Sequence, residues 1–146
     1  MARFAAAWRT GGAGSTTLPI ASLYAIANRA LVLYEVGCFN TTTTAVAIAL
    51  RRLTTAGTQG TGQSELYMDD STAVANATAV DVHSVGPTIT AGNLRAGSIG
   101  ASIGSGVIWT FGDRGLAIPA GTANGVGIVP LTGTGQVCDV YFEWSD

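Results

Sequence analysis

The stretch "YEVGCFNTTTTAVAIALRR", residues 34–52, decides the fold class because it can be interpreted either as one helix or as two strands. A helix would have to pass through four consecutive threonines, which are β-branched and poor helix formers. With a period of two, the larger side chains share one face: Val46, Ile48 and Leu50. The opposite face carries Ala45, Ala47, Ala49 and Arg51. We therefore predict two strands joined by a turn near Asn40 and Thr41, with the larger side chains in the core.

The alanine face of the second strand is predicted to contact another subunit. Only 11% of the residues are charged, whereas ordinary globular domains have about 25%, and all seven basic residues are arginines. A free domain normally carries more surface charge, which keeps it apart from its neighbours. We therefore expect much of the surface to be covered by other subunits, with Ala45, Ala47 and Ala49 as candidate interface residues.

The rest of the chain has the spacing of an all-β protein. Twenty glycines and many threonines separate short alternating segments at intervals of roughly 8–12 residues. About eight such segments predict an antiparallel, jelly-roll-like β-sandwich, since a jelly roll has eight strands in two sheets. A short helix over residues 19–30 is an alternative to a strand there, and residues 65–77 are a weaker helix candidate.

The chain length corresponds to one main domain, because 146 residues lie in the usual size range for a single core. Residues 1–17 are expected to form an N-terminal strand or arm followed by a flexible break, "GGAGSTT". Residues 18–146 are expected to form a single β-sandwich domain.

Two classes of partner are not expected. A membrane-spanning helix needs about 20 consecutive apolar residues, and no apolar run in the chain comes near that length. The N-terminal stretch "MARFAAAWRTGGAGSTTLP" lacks the apolar segment of a secretory signal. The formal net charge is −2 and the arginines are scattered, whereas a nucleic-acid-binding surface needs a basic patch. We therefore expect neither a membrane nor a nucleic acid as a partner.

No catalytic, cofactor-binding or metal-binding site is predicted. Asp81, His83 and Ser84 are close in sequence, but the chain lacks the G-x-S-x-G turn that presents a nucleophilic serine. A structural histidine is therefore expected. The adjacent Asp69 and Asp70 lack the further oxygen ligands of a calcium loop, so we predict that they lie in a solvated loop. These patterns indicate that the protein is not an enzyme.

The cysteines and two of the tryptophans are assigned structural roles. Cys38 and Cys138 lie in apolar, strand-like sequence, so we expect two buried free thiols. A disulfide between them remains an alternative that the sequence leaves open. Trp8 and Trp144 lie near the two ends of the chain and are candidate anchors for a subunit contact.

Two long stretches together resemble small structural proteins of tailed-bacteriophage virions. They are "LYEVGCFNTTTTAVAIALRRLTTAGTQGTG" and "GVIWTFGDRGLAIPAGTANGVGIVPLTGTGQVCDVYFEWSD". The second contains a strand, then "GLAIPAGTANGVGI", then a terminal strand ending in aromatic and acidic residues. This pattern is similar to jelly-roll decoration (cement) proteins and to related receptor-binding or head-fibre modules.

The resemblance implies a function in assembly. It implies a homotrimer on the exterior of a phage capsid, made in the host bacterial cytoplasm and bound to the major capsid protein or other virion proteins. Such a subunit would bridge capsomers and stabilise the shell. The alternative that it implies is a tail- or fibre-associated module that binds a host receptor. No site residue can be transferred from the resemblance, and no cofactor is expected.

Overall fold

The computed structural model describes residues 1–69 and 71–146, so Asp70 of the predicted acidic loop lies outside the described residues. Within them the protein is all-β, as predicted, with no helix and with eleven strands where about eight were expected. The strands are β1 Arg3–Arg9, β2 Ala21–Tyr24, β3 Leu31–Asn40, β4 Val46–Leu53, β5 Leu66–Tyr67, β6 Thr78–Asp81, β7 Ile89–Ile99, β8 Gly106–Thr110, β9 Leu116–Ile118, β10 Gly125–Pro130 and β11 Cys138–Ser145.

The strands form two antiparallel sheets. Sheet I has the order β5-β1-β11-β3-β8, and β9 also pairs with β3; sheet II has the order β6-β2-β10-β4-β7. If β5, β6 and β9 are set aside, the other eight strands pair in a nested way. The first pairs with the last (β1 with β11), and the following pairs are β2 with β10, β3 with β8 and β4 with β7.

Among the described residues, neither helix candidate forms a helix. Residues 21–24 are β2, and all four of its residues are buried because both faces of sheet II are covered there. Residues 66–67 are the short strand β5. The N-terminal segment contributes β1, which pairs along its whole length with β11 and also with β5. β1 is therefore an internal strand of sheet I.

The decisive stretch forms two strands as predicted, but β3 and β4 lie in opposite sheets instead of pairing with each other. The side chain of Asn40 fixes the turn between them. Its amide nitrogen donates to the carbonyl oxygens of Thr44 and Gly100, and its oxygen accepts a hydrogen bond from the backbone N–H of Thr42. The predicted inward residues of β4, which are Val46, Ile48 and Leu50, all belong to the core.

The core between the sheets contains Trp144, which is fully buried and stacks on Phe4 with 6.1 Å between ring centroids. Full burial of a large apolar side chain stabilises the fold by about 1.5–3 kcal/mol. The prediction that Trp144 anchors a subunit contact is therefore corrected. Its position near the chain end is misleading because β11 runs through the middle of sheet I.

The outer face of sheet II is also partly covered by the chain itself. Tyr24, Leu53 and Val80 form a second buried cluster there. Residues 54–62 lie against the end of β6, with bridges from Thr58 to Val85 and from Gly62 to Val80. Ala49 points away from the inward residues of β4, yet it too is fully buried. Its side chain is therefore not on a surface that a second subunit could reach.

Candidate functional site

Large exposed apolar side chains are concentrated beside the edge strand β5. Of the eight that the described residues expose, five lie in this region and are called the apolar rim here: Met1, Leu66, Tyr67, Met68 and Val74. They are between 49% and 81% exposed. Large exposed apolar side chains that lie near one another, unlike singly scattered ones, are a feature of interaction sites. The apolar rim is therefore the first candidate for a functional surface.

The apolar rim is built on a very short strand. β5 pairs with β1 through Phe4 opposite Tyr67 and Ala5 opposite Leu66. The backbone N–H of Met68 then donates to the carbonyl oxygen of Arg3 at 2.7 Å. These contacts fix the backbone of the strand but leave its side chains outside the core.

An apolar groove of about 490 Å³ adjoins the apolar rim, and Met1 and Val74 contribute to its wall. Its floor is held by Asp146, whose carboxylate accepts hydrogen bonds from the backbone N–H groups of Asn76 and Ala77 and from the indole N–H of Trp144. The C-terminal residue is thereby tied to the segment that carries Val74. The groove is a preformed concave surface beside the apolar rim.

A second, polar groove of about 570 Å³ lies at the same end of sheet I. Four of the nine acidic residues line it: Glu35, Asp69, Asp113 and Glu143. Glu35 and Glu143 are directly opposite each other on β3 and β11, an arrangement of like charges that destabilises a sheet. The guanidinium of Arg3 lies 4.4 Å from the ring centroid of Tyr34 in the same groove.

One carboxylate of the polar groove is held in place by a close packing contact. The ring of Tyr141 lies over Gly37, where a side chain would collide with it, and the Tyr141 hydroxyl donates to Oε1 of Glu35. The sequence showed nine scattered acids and gave no reason to select these four. Among the described residues, no group of three or more acidic, histidine or cysteine side chains could hold a metal ion.

The remaining predicted interface residues occupy different environments. Ala45 is exposed just before β4, and Ala47 is half-buried. Trp8 is half-buried on β1, stacks on Phe142 at 5.9 Å, and donates from its indole N–H to Asp81 at 3.3 Å. Trp8 therefore links the two sheets. The structure does not bring these three residues together with the apolar rim in one surface, and their role as subunit contacts stays a prediction.

His83 and Asp81 do not form a catalytic pair. His83 is buried, and its Nε2 lies 3.2 Å from the hydroxyl of Tyr24. The carboxylate of Asp81 instead accepts hydrogen bonds from Gly11 and Trp8. Burial lowers the pKa of His83, which favours the neutral imidazole. The arrangement is that of a structural histidine beneath the segment that covers sheet II.

Comparisons with known proteins identify no relative: no family model, no curated protein and no solved structure matches the chain. Within residues 1–69 and 71–146 there is no helix of the length and apolar character needed to cross a membrane.

Proposed function

We propose that the protein is a structural subunit of a tailed-bacteriophage virion, which decorates the capsid exterior as a homotrimer and stabilises the shell by bridging capsomers. The apolar rim is the observation that carries this proposal. Five large side chains, each about half to four-fifths exposed, would stabilise a contact by on the order of 5 kcal/mol if another subunit covered them. Surface charge normally keeps soluble proteins apart from one another. With only 11% charged residues, this chain has little charge to prevent contact through such a surface.

The strand order supports the same proposal. The first strand pairs with the last, the second with the seventh, the third with the sixth and the fourth with the fifth. This nested pairing supports the proposal that the sandwich has a jelly-roll topology. Jelly rolls are common in viral capsid proteins, although they also occur in lectins and in other proteins. The topology is compatible with a virion subunit, but function has to be argued from surfaces and not from the fold.

The self-association part of the proposal is tested by sedimentation at micromolar concentration. The wild-type protein is expected to sediment as a trimer. Leu66→Glu places a charge in the apolar rim and should shift the protein to the monomer. Val85→Glu is the matched control, because Val85 is similarly exposed (59% against 65%) but lies outside the rim. A wild-type protein that is monomeric, or equal sedimentation of the two variants, would contradict a subunit contact through the rim.

The location in the virion is tested on particles. A capsid decoration protein is present in hundreds of copies, and particles without it should lose thermal or osmotic stability. A few copies, or about a dozen, would indicate a tail or vertex position instead.

A tail- or fibre-associated receptor-binding module is the second candidate, and the polar groove favours it. Four carboxylates, Arg3 and Tyr34 around about 570 Å³ provide the hydrogen-bonding groups that a polar receptor needs. Under this alternative, particles without the protein remain stable but fail to adsorb to the host. Substitution of Glu143 by Gln should then weaken adsorption without changing the oligomeric state.

A further inference from the structure

The two cysteines are neighbours in the folded protein. Cys38 lies on β3 opposite Val140 of β11, and Cys138 lies on β11 opposite Asn40 of β3. They are therefore diagonal neighbours on adjacent strands, a distance at which side chains still interact. Both side chains are fully buried in the core cluster. The thiol of Cys138 donates to the carbonyl oxygen of Gln136 at 3.4 Å.

The two thiols differ in acidity because each affects the other. The neighbouring Cys138 thiol, together with burial, raises the pKa of Cys38. The neighbouring Cys38 thiol lowers the pKa of Cys138. The thiolate is the form of a cysteine that attacks a disulfide.

We propose that Cys38 and Cys138 form an oxidisable dithiol, which a low-molecular-weight disulfide such as oxidised glutathione converts into an intramolecular disulfide between β3 and β11. This proposal does not depend on the proposed function. The reaction has two exchange steps and transfers two electrons from the protein thiols to the oxidant.

In the first step, the Cys138 thiolate attacks one sulfur of oxidised glutathione. A mixed disulfide forms, and one glutathione thiolate leaves and takes up a proton. In the second step, Cys38 loses its proton and attacks the Sγ of Cys138. The protein disulfide forms as the second glutathione thiolate leaves and is protonated. Because both thiols are buried, these steps require transient opening of β11 or occur while the chain folds.

The disulfide would connect the third strand of the sandwich to the last one. It would close a loop of about 100 residues, and closing a long loop restricts the unfolded chain strongly. It would also hold β11, which lies between β1 and β3 in sheet I. The oxidised protein should therefore resist unfolding better than the reduced protein.

The test equilibrates the full chain in glutathione buffers of increasing oxidised fraction, with moderate urea so that the buried thiols become accessible. Free thiols are then alkylated, and the protein mass is measured. The expected product has lost two hydrogens, carries no glutathione and remains a single chain. Its Tm should rise by on the order of 10 °C. Cys38→Ala and Cys138→Ala are the matched controls, which retain one thiol each and should form only mixed disulfides without this rise in Tm.

Three results would overturn the proposal: two alkylatable thiols across the whole series, glutathione adducts alone, or disulfides only between chains. If the alanine variants fail to fold, the mass of the wild-type protein still decides, because it distinguishes the intramolecular disulfide from all three.

Discussion

The two edges of the sandwich differ in how they limit pairing with the strands of other molecules. An edge strand presents unpaired backbone groups, and proteins limit unwanted pairing by short strands, bulges or inward-pointing charges. At one edge β5 has two residues and β6 has four. At the other edge β7 has eleven residues, and these are mostly small and uncharged. From its length alone, β7 would be the edge strand more prone to pair with a strand of another molecule.

β7 is protected by its geometry. Its register with β4 shifts twice, between Leu50 and Arg51 and between Arg51 and Leu53, and such bulges twist an edge away from a flat partner. Arg95 faces Leu50 in the register, and its guanidinium donates to the carbonyl oxygen of Thr110 and lies 4.7 Å from the ring centroid of Phe111. The long edge is therefore closed by a charge, whereas the short edge exposes the apolar rim. For the proposed association, the comparison favours side-chain contacts at β5 over backbone pairing at β7.

The largest predicted effect compares how strongly the strands β7 and β5 are anchored in the core. Ile99 of β7 is 2% exposed and belongs to the core, whereas Leu66 of β5 is 65% exposed. Ile99→Ala should lower the free energy of unfolding by about 2–5 kcal/mol, because it leaves a cavity. Leu66→Ala should change it by about 0.5 kcal/mol or less. Urea unfolding, at a concentration where both variants are monomeric, measures both values. Similar losses for the two variants would show that the edges are anchored alike.

The sequence predicted the parts of the fold that follow from alternation. Val46, Ile48 and Leu50 are in the core because a period of two assigns one face of a strand to the interior. The same alternation could not show that the other face would be covered by the chain itself, so the prediction for Ala49 was wrong. Burial of that face depends on how distant segments fold over sheet II, and composition identifies loops without giving their positions.

The candidate sites were less predictable than the fold because they depend on long-range pairing. Leu66, Tyr67 and Met68 lie in a segment whose spacing suggested a weak helix, and nothing in it indicated an exposed edge strand. The contact between Cys38 and Cys138 arises from the pairing of β3 with β11. A single sequence contains no signal for that pairing, although the burial of both cysteines was expected from their apolar neighbours.

An intermediate effect is expected at Arg95, which tests whether a charge closes the long edge. Arg95→Ala removes the cation–π contact and the hydrogen bond to Thr110, which should cost about 0.5–1 kcal/mol at an exposed position. It should also increase self-association, measured by light scattering, because β7 loses its inward charge. Arg114→Ala is the control, since it removes the same charge from another exposed residue. If both variants scatter alike, the increase in self-association would be due to the change in net charge and not to the loss of a charge at the edge strand β7.

The smallest predicted effect concerns the covered part of the short edge, where His83 lies beneath the segment next to β6. Burial holds the pKa of His83 below its ordinary value of 6.5, so the unfolded chain binds a proton more readily than the folded chain. The stability due to the neutral imidazole is therefore present above about pH 6.5 and decreases as the pH falls below it. Thermal unfolding between pH 8 and pH 5 should show a decrease in Tm that His83→Gln reduces. Hydrogen exchange should locate the loss in residues 54–62 and 82–88, whereas an equal loss across β7 would contradict a local effect at the covered edge.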